Sequence, residues 1–267
     1  MSRGSAWTHA LAGDGEVREI VPSVLRADIR LGDGTATALT VVPDQASPYL
    51  RARAGEVGLR ESVVLAEQIT EIRTSDTRDR TAKQPIIVIV DLPSQAYGRL
   101  EETLGIHQTI ACAVDAYYSA RMDGHPIVTL VVGTALSGGF LAHGLQANQI
   151  LALNDPGVEI HAMHKEAAAR ITLRTVEQLD ELAKTIAPLS YAVTQWATLG
   201  LCDGLIDVSN ADEPTSDDIA TVRAALSAAV NRARTGPLDL SNRRESYAAK
   251  KVRTASREVY KTLAAQW

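Results

Sequence analysis

Only two cysteines occur in the 267-residue chain, and Cys112 and Cys202 stand 90 positions apart, a spacing that offers neither a disulfide framework nor a zinc site. No apolar run approaches the roughly 20 residues that span a bilayer. The longest runs, such as Ile86 to Val90, have the length of a strand. The start, Met1-Ser2-Arg3-Gly4-Ser5, puts no apolar stretch behind its one basic residue, so no secretory signal is expected. Internal repeats and low-complexity linkers are missing as well. These absences point to a cytoplasmic chain with no metal and no membrane association. What is present, 45% hydrophobic and 22% charged residues, is the composition of a globular protein long enough to bury an ordinary core.

The net charge of −5 hides an asymmetry. From Asn231 to Trp267 nine Arg or Lys face three Asp or Glu, a local balance of +6 that leaves −11 for everything before it. In this segment the charges alternate with Tyr247, Val252, Val259 and Leu263 in a loosely helical rhythm. That pattern reads first as a surface or partner-facing helix. A docking patch for an acidic protein, with Arg243, Arg244, Lys250, Lys251 and Arg253 as its cations, is the second reading, and nucleic acid is the least favoured.

Val17 to Leu25, Ala27 to Leu31 and Ala38 to Val42 read as strands separated by Gly- and Pro-containing turns. Gly55 to Ile72 suits an amphipathic helix. A βαβ rhythm follows: strand Pro85 to Val90, helix Tyr97 to Met122, strand Pro126 to Val132, helix Gly138 to Gln146 and strand Gln149 to Leu153. Strands covered on both faces are continuously apolar and their crossovers are helices, so this alternation predicts an α/β fold with a parallel sheet. Val158 to Met163 reads as another strand, and helices are expected over Lys165 to Leu199 and Ser216 to Arg234.

Two loops carry the chemistry. After strand 126–132 come Gly133-Thr134-Ala135-Leu136-Ser137-Gly138-Gly139, with the adjacent glycines where a helix begins. The first N–H groups of a helix have no intrahelical partner, and glycine lets a ligand approach them. Gly138 and Gly139 are therefore candidate oxyanion donors, and helix packing explains the same glycines. Strand 85–90 ends in Asp91-Leu92-Pro93-Ser94-Gln95-Ala96-Tyr97-Gly98. Both loops open at the carboxyl edge of a parallel sheet, where ligands bind, and together they suit a polarised carbonyl such as a thioester. Tyr97 is a candidate hydroxyl donor or a buried helix-start residue. Ser137 reads as a cap or as a site hydroxyl. His143 reads as a packing residue, Cys112 as core, and His161 and His164 as structural hydrogen-bonders, with His164 the one of the two placed to contact substrate or a partner.

These loops and the segment Leu199-Gly200-Leu201-Cys202-Asp203-Gly204-Leu205-Ile206-Asp207 resemble the carboxyltransferase branch of the crotonase superfamily, in which an Asp-x-Pro loop, a Gly-Gly helix start and a late Gly-Leu-Ile-Asp segment recur. Within that branch the chain is similar to the malonate decarboxylase gamma-subunit family, including Asp155-Pro156-Gly157-Val158 and the run His161-Ala162-Met163-His164-Lys165, over roughly residues 15–235. Fuller carboxyltransferases carry Gly where this chain has Ser94, so a biotin-supporting role does not come with the resemblance.

The resemblance implies a crotonase-like (ββα superhelix) domain over residues 1–235 and a basic helical extension over 236–267. It implies decarboxylation of malonyl-acyl carrier protein to acetyl-acyl carrier protein, in a biotin-independent complex with a beta subunit of the same fold. Further partners would be the acyl carrier protein, whose phosphopantetheine-type arm carries the substrate, and an acyl carrier protein transferase subunit. The chain itself would bind no cofactor. Gly138, Gly139, Ser137 and Tyr97 would be the catalytic residues, and Pro93, Ser94, Gln95, Ala96, Gly98 and His164 would bind substrate. The alternatives are a crotonase-like acyl-CoA hydratase or thioesterase, which lacks support from any acidic pair after the glycine loop, and a non-catalytic structural subunit.

Overall fold

A computed structural model of the protein describes residues 1–266. Its first element is a helix the sequence pattern did not announce, α1 (Arg3–Ala12), which buries Gly4, Trp7, Thr8 and Leu11, one stripe at helical spacing. Trp7 donates its Nε1–H to the Ala211 carbonyl at 2.8 Å. Arg3 forms ion pairs with Asp155 and Asp212, both at 2.7 Å.

The sheet opens with an antiparallel meander, β1 (Val17–Val21), β2 (Val24–Leu31) and β3 (Gly34–Val41). The expected single strand 17–25 is two strands, turned back at Pro22 and Ser23, because proline cannot donate to the ladder. The helix read over 55–72 is α2 (Leu59–Ser75), whose Glu61 carboxylate accepts the Gly58 N–H at 3.1 Å. Then β4 (Ile86–Leu92) pairs parallel to β3.

The helix expected over 97–122 is interrupted: Gly105 adopts φ +84° and divides α3 (Arg99–Thr103) from α4 (Ile106–Met122). Cys112 lies on the exposed side of α4, not in the core. β5 (Ile127–Leu136) continues through the residues read as a turn, and α5 (Ser137–Ala142) starts at the next residue. β6 (Gln149–Leu153) follows, and β7 (Ile160–His161) pairs with the end of β5.

The expected continuous helix 165–199 is three pieces, α6 (Lys165–Ile171), α7 (Val176–Ala183) and α8 (Val193–Ala197). Leu173 at φ +53° turns the chain between the first two, and Ala187-Pro188-Leu189 forms a single tight turn before the third. β8 (Gly204–Ile206) closes the order β1-β2-β3-β4-β5-β6-β8, parallel from β3 onward.

Helices cover both faces of the sheet. Asp91 of β4 reaches α1, and its neighbour Val90 faces Gly144 just beyond α5, as the period of two requires. α9 (Ser216–Thr235) lies with α1, and α2 packs on α4. Trp7, Leu11, Ile29, Leu39, Ile69, Ile87, Tyr117 and Leu130 are among the residues of one continuous core.

The chain ends in α10 (Ser241–Glu245), α11 (Tyr247–Val252) and α12 (Thr254–Ala264). Arg243, read as a surface cation, is buried. It donates to the carbonyls of Leu145 and Ala147, and burial pushes its guanidinium down to about 10. It anchors these helices to the body.

The docking of α1 gives a direct test. Trp7→Ala removes a fully buried indole and its hydrogen bond and is expected to cost about 3–5 kcal/mol in chemical denaturation. A loss under about 1 kcal/mol would show that α1 does not hold the fold.

Candidate active site

The parallel pairing of β4 with β5 extends to Leu92 against Ala135, so the loops that follow leave the sheet side by side. Asp91, first residue of the Asp-x-Pro loop, is occupied structurally. Its carboxylate accepts the Gly4 N–H of α1 and the Thr134 N–H of β5, both at 3.2 Å. A side chain on Gly133 would overlap that carboxylate, with a Cβ only 2.1 Å from Asp91 Oδ1.

Beyond Asp91 the first loop pairs with a third segment. The Val57 N–H donates to the Ser94 carbonyl at 3.0 Å, and the Ala96 N–H to the Val57 carbonyl at 2.9 Å. Ser94 and Ala96 are therefore buried, Pro93 and Gly98 are half-buried, and the intervening Gln95 faces outward into a cleft. The second loop crosses directly over the first: a Cβ on Gly139 would stand 2.4 Å from the Ser94 carbonyl oxygen. The glycine thus has a packing reason of its own. The Gly138 N–H donates to Gln95 Oε1 at 2.8 Å, so an amide carbonyl oxygen occupies the place of an external acceptor.

Ser137 does not cap α5. It is the first helical residue, at φ +61°, and its side chain makes no cap bond. A non-glycine residue in this left-handed region is uncommon and strained. Ser137 lines two cavities. One is the cleft of about 600 Å³, shared with Gln95, Tyr97, His164, Glu56 and Arg170. The other is an apolar cavity of about 340 Å³ that includes Phe140, Leu141, Trp196, Leu199 and Arg243.

Of the residues singled out from sequence, the cleft brings together Gln95, Tyr97, Ser137 and His164. Tyr97 is 47% exposed, which removes the buried helix-start reading. The Arg51 guanidinium lies 3.8 Å over its ring and also pairs with Glu56 at 2.9 Å. Burial raises the Glu56 carboxyl above its ordinary value, and Arg51 partly offsets this. Arg51 and Glu56 were not legible in the sequence. They reach the cleft through the pairing of Val57 with Gln95, a contact between residues 38 apart in the chain.

His161 stacks on Tyr191 at 4.1 Å between ring centroids, and the Tyr191 hydroxyl donates to the Met163 carbonyl at 2.7 Å. Both are bracing residues for the turn into α6. Among the described residues no group of three or more His, Cys, Asp or Glu is placed to hold a metal.

His143, at the end of α5, is fully buried with Nδ1 2.8 Å from the Tyr117 hydroxyl. Burial holds its imidazole at about 3, far below its ordinary 6.5. Unfolded chains take up this proton below about pH 6.5 and the folded protein does not until about pH 3, so stability falls as pH falls through that window. Denaturant midpoints of His143→Leu are expected to lose part of this dependence between pH 7 and 4. A slope identical to that of the parent protein would remove His143 as its cause.

The glycines are separable by experiment. Gly139→Ala forces backbone against backbone and is expected to cost about 1–3 kcal/mol. Gly138→Ala meets only the Gln95 side chain, at 3.1 Å, and should cost less. Equal losses in thermal midpoint would contradict this geometry.

Comparison with known proteins agrees over nearly the whole chain. Residues 52–267 match the family model of the malonate decarboxylase gamma subunit. A malonyl-S-ACP:biotin-protein carboxyltransferase of Malonomonas rubra is 32% identical over 228 residues, 83% of this chain and 77% of that protein. A chain of a Pseudomonas malonate decarboxylase hetero-tetramer, solved with coenzyme A, is 47% identical with a TM-score of 0.91, all of both chains being covered. A chain of the Pseudomonas MdcD-MdcE hetero-dimer is 47% identical with a TM-score of 0.87, again over all of both chains. The fold extends to transcarboxylase 12S at 21% identity and a TM-score of 0.63, over 88% of this chain and 40% of that one.

Proposed function

The chain belongs to the malonate decarboxylase gamma-subunit family, and we propose that it forms, with a beta subunit, the site that decarboxylates malonyl-acyl carrier protein to acetyl-acyl carrier protein. In that reaction the bond to the departing carboxylate breaks, its electron pair moves onto the thioester as an enolate, and a proton then reaches the carbon. The required device is a fixed hydrogen-bond donor at the thioester oxygen.

The observation that carries the proposal is the Gly138 N–H bonded to Gln95 Oε1 within the cleft. The donor already holds a carbonyl oxygen, and a thioester oxygen takes that place when the flexible Gln95 side chain turns aside. Gly139 keeps the two loops close enough for this. Tyr97 and Ser137 supply hydroxyls in the same cleft, and His164, at the start of α6, faces the substrate across it. Residues Pro93 to Gly98 form the substrate-side wall.

The rim of the cleft supports a shared site. Leu50 beside Arg51, Leu100 beyond Tyr97, and Ile171 and Leu173 beyond Arg170 are all exposed, Leu173 at 93%. Exposed large apolar residues in the segments that supply the cleft suit a surface that a partner covers. We assign it to the beta subunit. The substrate arrives on the phosphopantetheine-type arm of an acyl carrier protein charged by a transferase subunit, and this chain binds no cofactor of its own. Ser94 in place of glycine supports the biotin-independent form. Residues 1–235 form the crotonase-like carboxyltransferase-type domain and 236–267 its basic extension. Among the described residues no helix is long and apolar enough to cross a membrane.

Assays of carbon dioxide release from malonyl-acyl carrier protein are expected to show little turnover by this chain alone, little by beta alone and robust turnover by the pair. Full activity in a preparation free of every other subunit would overturn the shared site.

A further inference from the structure

Loss of carbon dioxide leaves an enolate that must take a proton on carbon, so the site needs an acid whose conjugate base the surroundings tolerate. The cleft offers the Glu56 and Glu166 carboxyls, the Ser137 and Tyr97 hydroxyls and the His164 imidazole. Arg51 Nη1 donates to both carboxylate oxygens of the buried Glu56, at 2.9 and 3.1 Å, so this carboxylate is engaged as an acceptor. Glu166 is exposed, and a carboxylate in water holds no proton at neutral pH. A serine hydroxyl is a far weaker acid than a phenol.

Backbone geometry places Tyr97 beside the acyl group. From Pro93 to Tyr97 the chain alternates: Ser94 and Ala96 are buried against the Val57 segment, and Gln95 and Tyr97 turn the other way. Gln95 Oε1 holds the Gly138 N–H, the place assigned to the thioester oxygen. Tyr97 is the next residue on that side, one repeat of roughly 7 Å along the segment, a distance a tyrosine side chain can bridge.

The Arg51 guanidinium lies 3.8 Å over the Tyr97 ring. A cation over an aromatic face is attracted to it, and more strongly once the ring carries negative charge. The tight turn Ala52–Ala54 brings Glu56 back onto Arg51, so the guanidinium is held at the ring by a carboxylate from its own loop.

We propose that Tyr97 gives the proton to the enolate carbon and that Arg51, held by Glu56, is the positioning residue for that transfer. This rests on the decarboxylation of the proposed function. The Tyr97 O–H bond breaks, the enolate electron pair forms the new C–H bond with its proton, and the thioester carbonyl is restored. The phenolate left behind lies against the guanidinium and regains a proton from water after the product leaves. Tyr97 is 47% exposed, which admits that water.

The test measures carbon dioxide release from malonyl-acyl carrier protein by the assembled beta-gamma complex. Tyr97→Phe keeps the ring and is expected to lower kcat roughly a hundredfold or more, with KM within about twofold of the parent's. Arg51→Met is expected to lower kcat roughly tenfold, and Arg51→Lys, which keeps a cation, to recover part of that loss. Because Arg51→Met strands a buried carboxylate, it is measured also with Glu56→Gln, and the same loss is expected. Added to Tyr97→Phe, either form of the Arg51 change is expected to cost nothing further. Losses that multiply, or an unchanged kcat in Tyr97→Phe, overturn the proposal. Between about pH 6 and 8 an ordinary imidazole titrates and a phenol does not, so the parent's kcat is expected to stay level. A fall with rising pH across that range assigns the donor to His164 and overturns it as well. A parent complex that releases no carbon dioxide overturns the proposed function itself and this proposal with it.

Discussion

The carbonyl oxygen of Ser94 is shared by two neighbours. It accepts the Val57 N–H at 3.0 Å and fills the space a side chain on Gly139 would need. Three segments from distant parts of the chain meet at that oxygen, and each brings its own part of the cleft. The segment around Val57 brings Glu56, the loop after β4 brings Gln95 and Tyr97, and the loop after β5 brings Ser137 and Gly138. The close approach that Gly139 allows sets the Gly138 N–H against Gln95 Oε1 at 2.8 Å.

The same edge of the sheet is closed by charge. Arg3 joins the Asp155 turn and Asp212, and Asp91 joins the start of α1 to the end of β5. Arg3, Asp155 and Asp91 are partly shielded from solvent, where a hydrogen-bonded charge left without its partner is costly, whereas Asp212 is largely exposed. At the far side, Arg121 and Arg243 are buried with carbonyl oxygens as their partners: Arg121 donates to Leu238 at 2.6 Å and to Gln146 at 2.5 Å. Arg121 thus ties the loop after α5 to the segment before α10, and Arg243 ties it to α10 itself, each through carbonyl oxygens.

The central strands were legible in the sequence because strands covered on both faces are apolar at every position, as in Ile86 to Val90. α9 was legible as a helix, and so was the edge at which the loops open. The resemblance added the partner and the carrier. What was not legible depends on contacts between distant residues. α1 has only Trp7 and Leu11 as large apolar residues, and its buried Gly4 and Thr8 look like surface residues until β3 and β4 lie beneath them. Arg51 and Glu56 belong to an unremarkable loop until Val57 pairs with Gln95. Arg243 reads as one more surface cation until the carbonyls of Leu145 and Ala147 surround it. Gly105 stands inside an otherwise helical pattern, where a lone glycine lowers helix stability without fixing a break, and its φ of +84° divides α3 from α4.

Helix α1 joins parts of the chain that lie far apart in sequence. The Trp7 indole bonds to Ala211, and Arg3 bonds to Asp155 and Asp212, contacts spanning more than 150 and more than 200 residues. The helix's buried stripe also lies on β2, β3, β4 and β5, so the first half of the chain supplies most of its bed and the later half only closes over it. Contacts of the longer separation are entropically the costlier to close. A chain ending before residue 211 would leave the Trp7 indole N–H without the acceptor it has here.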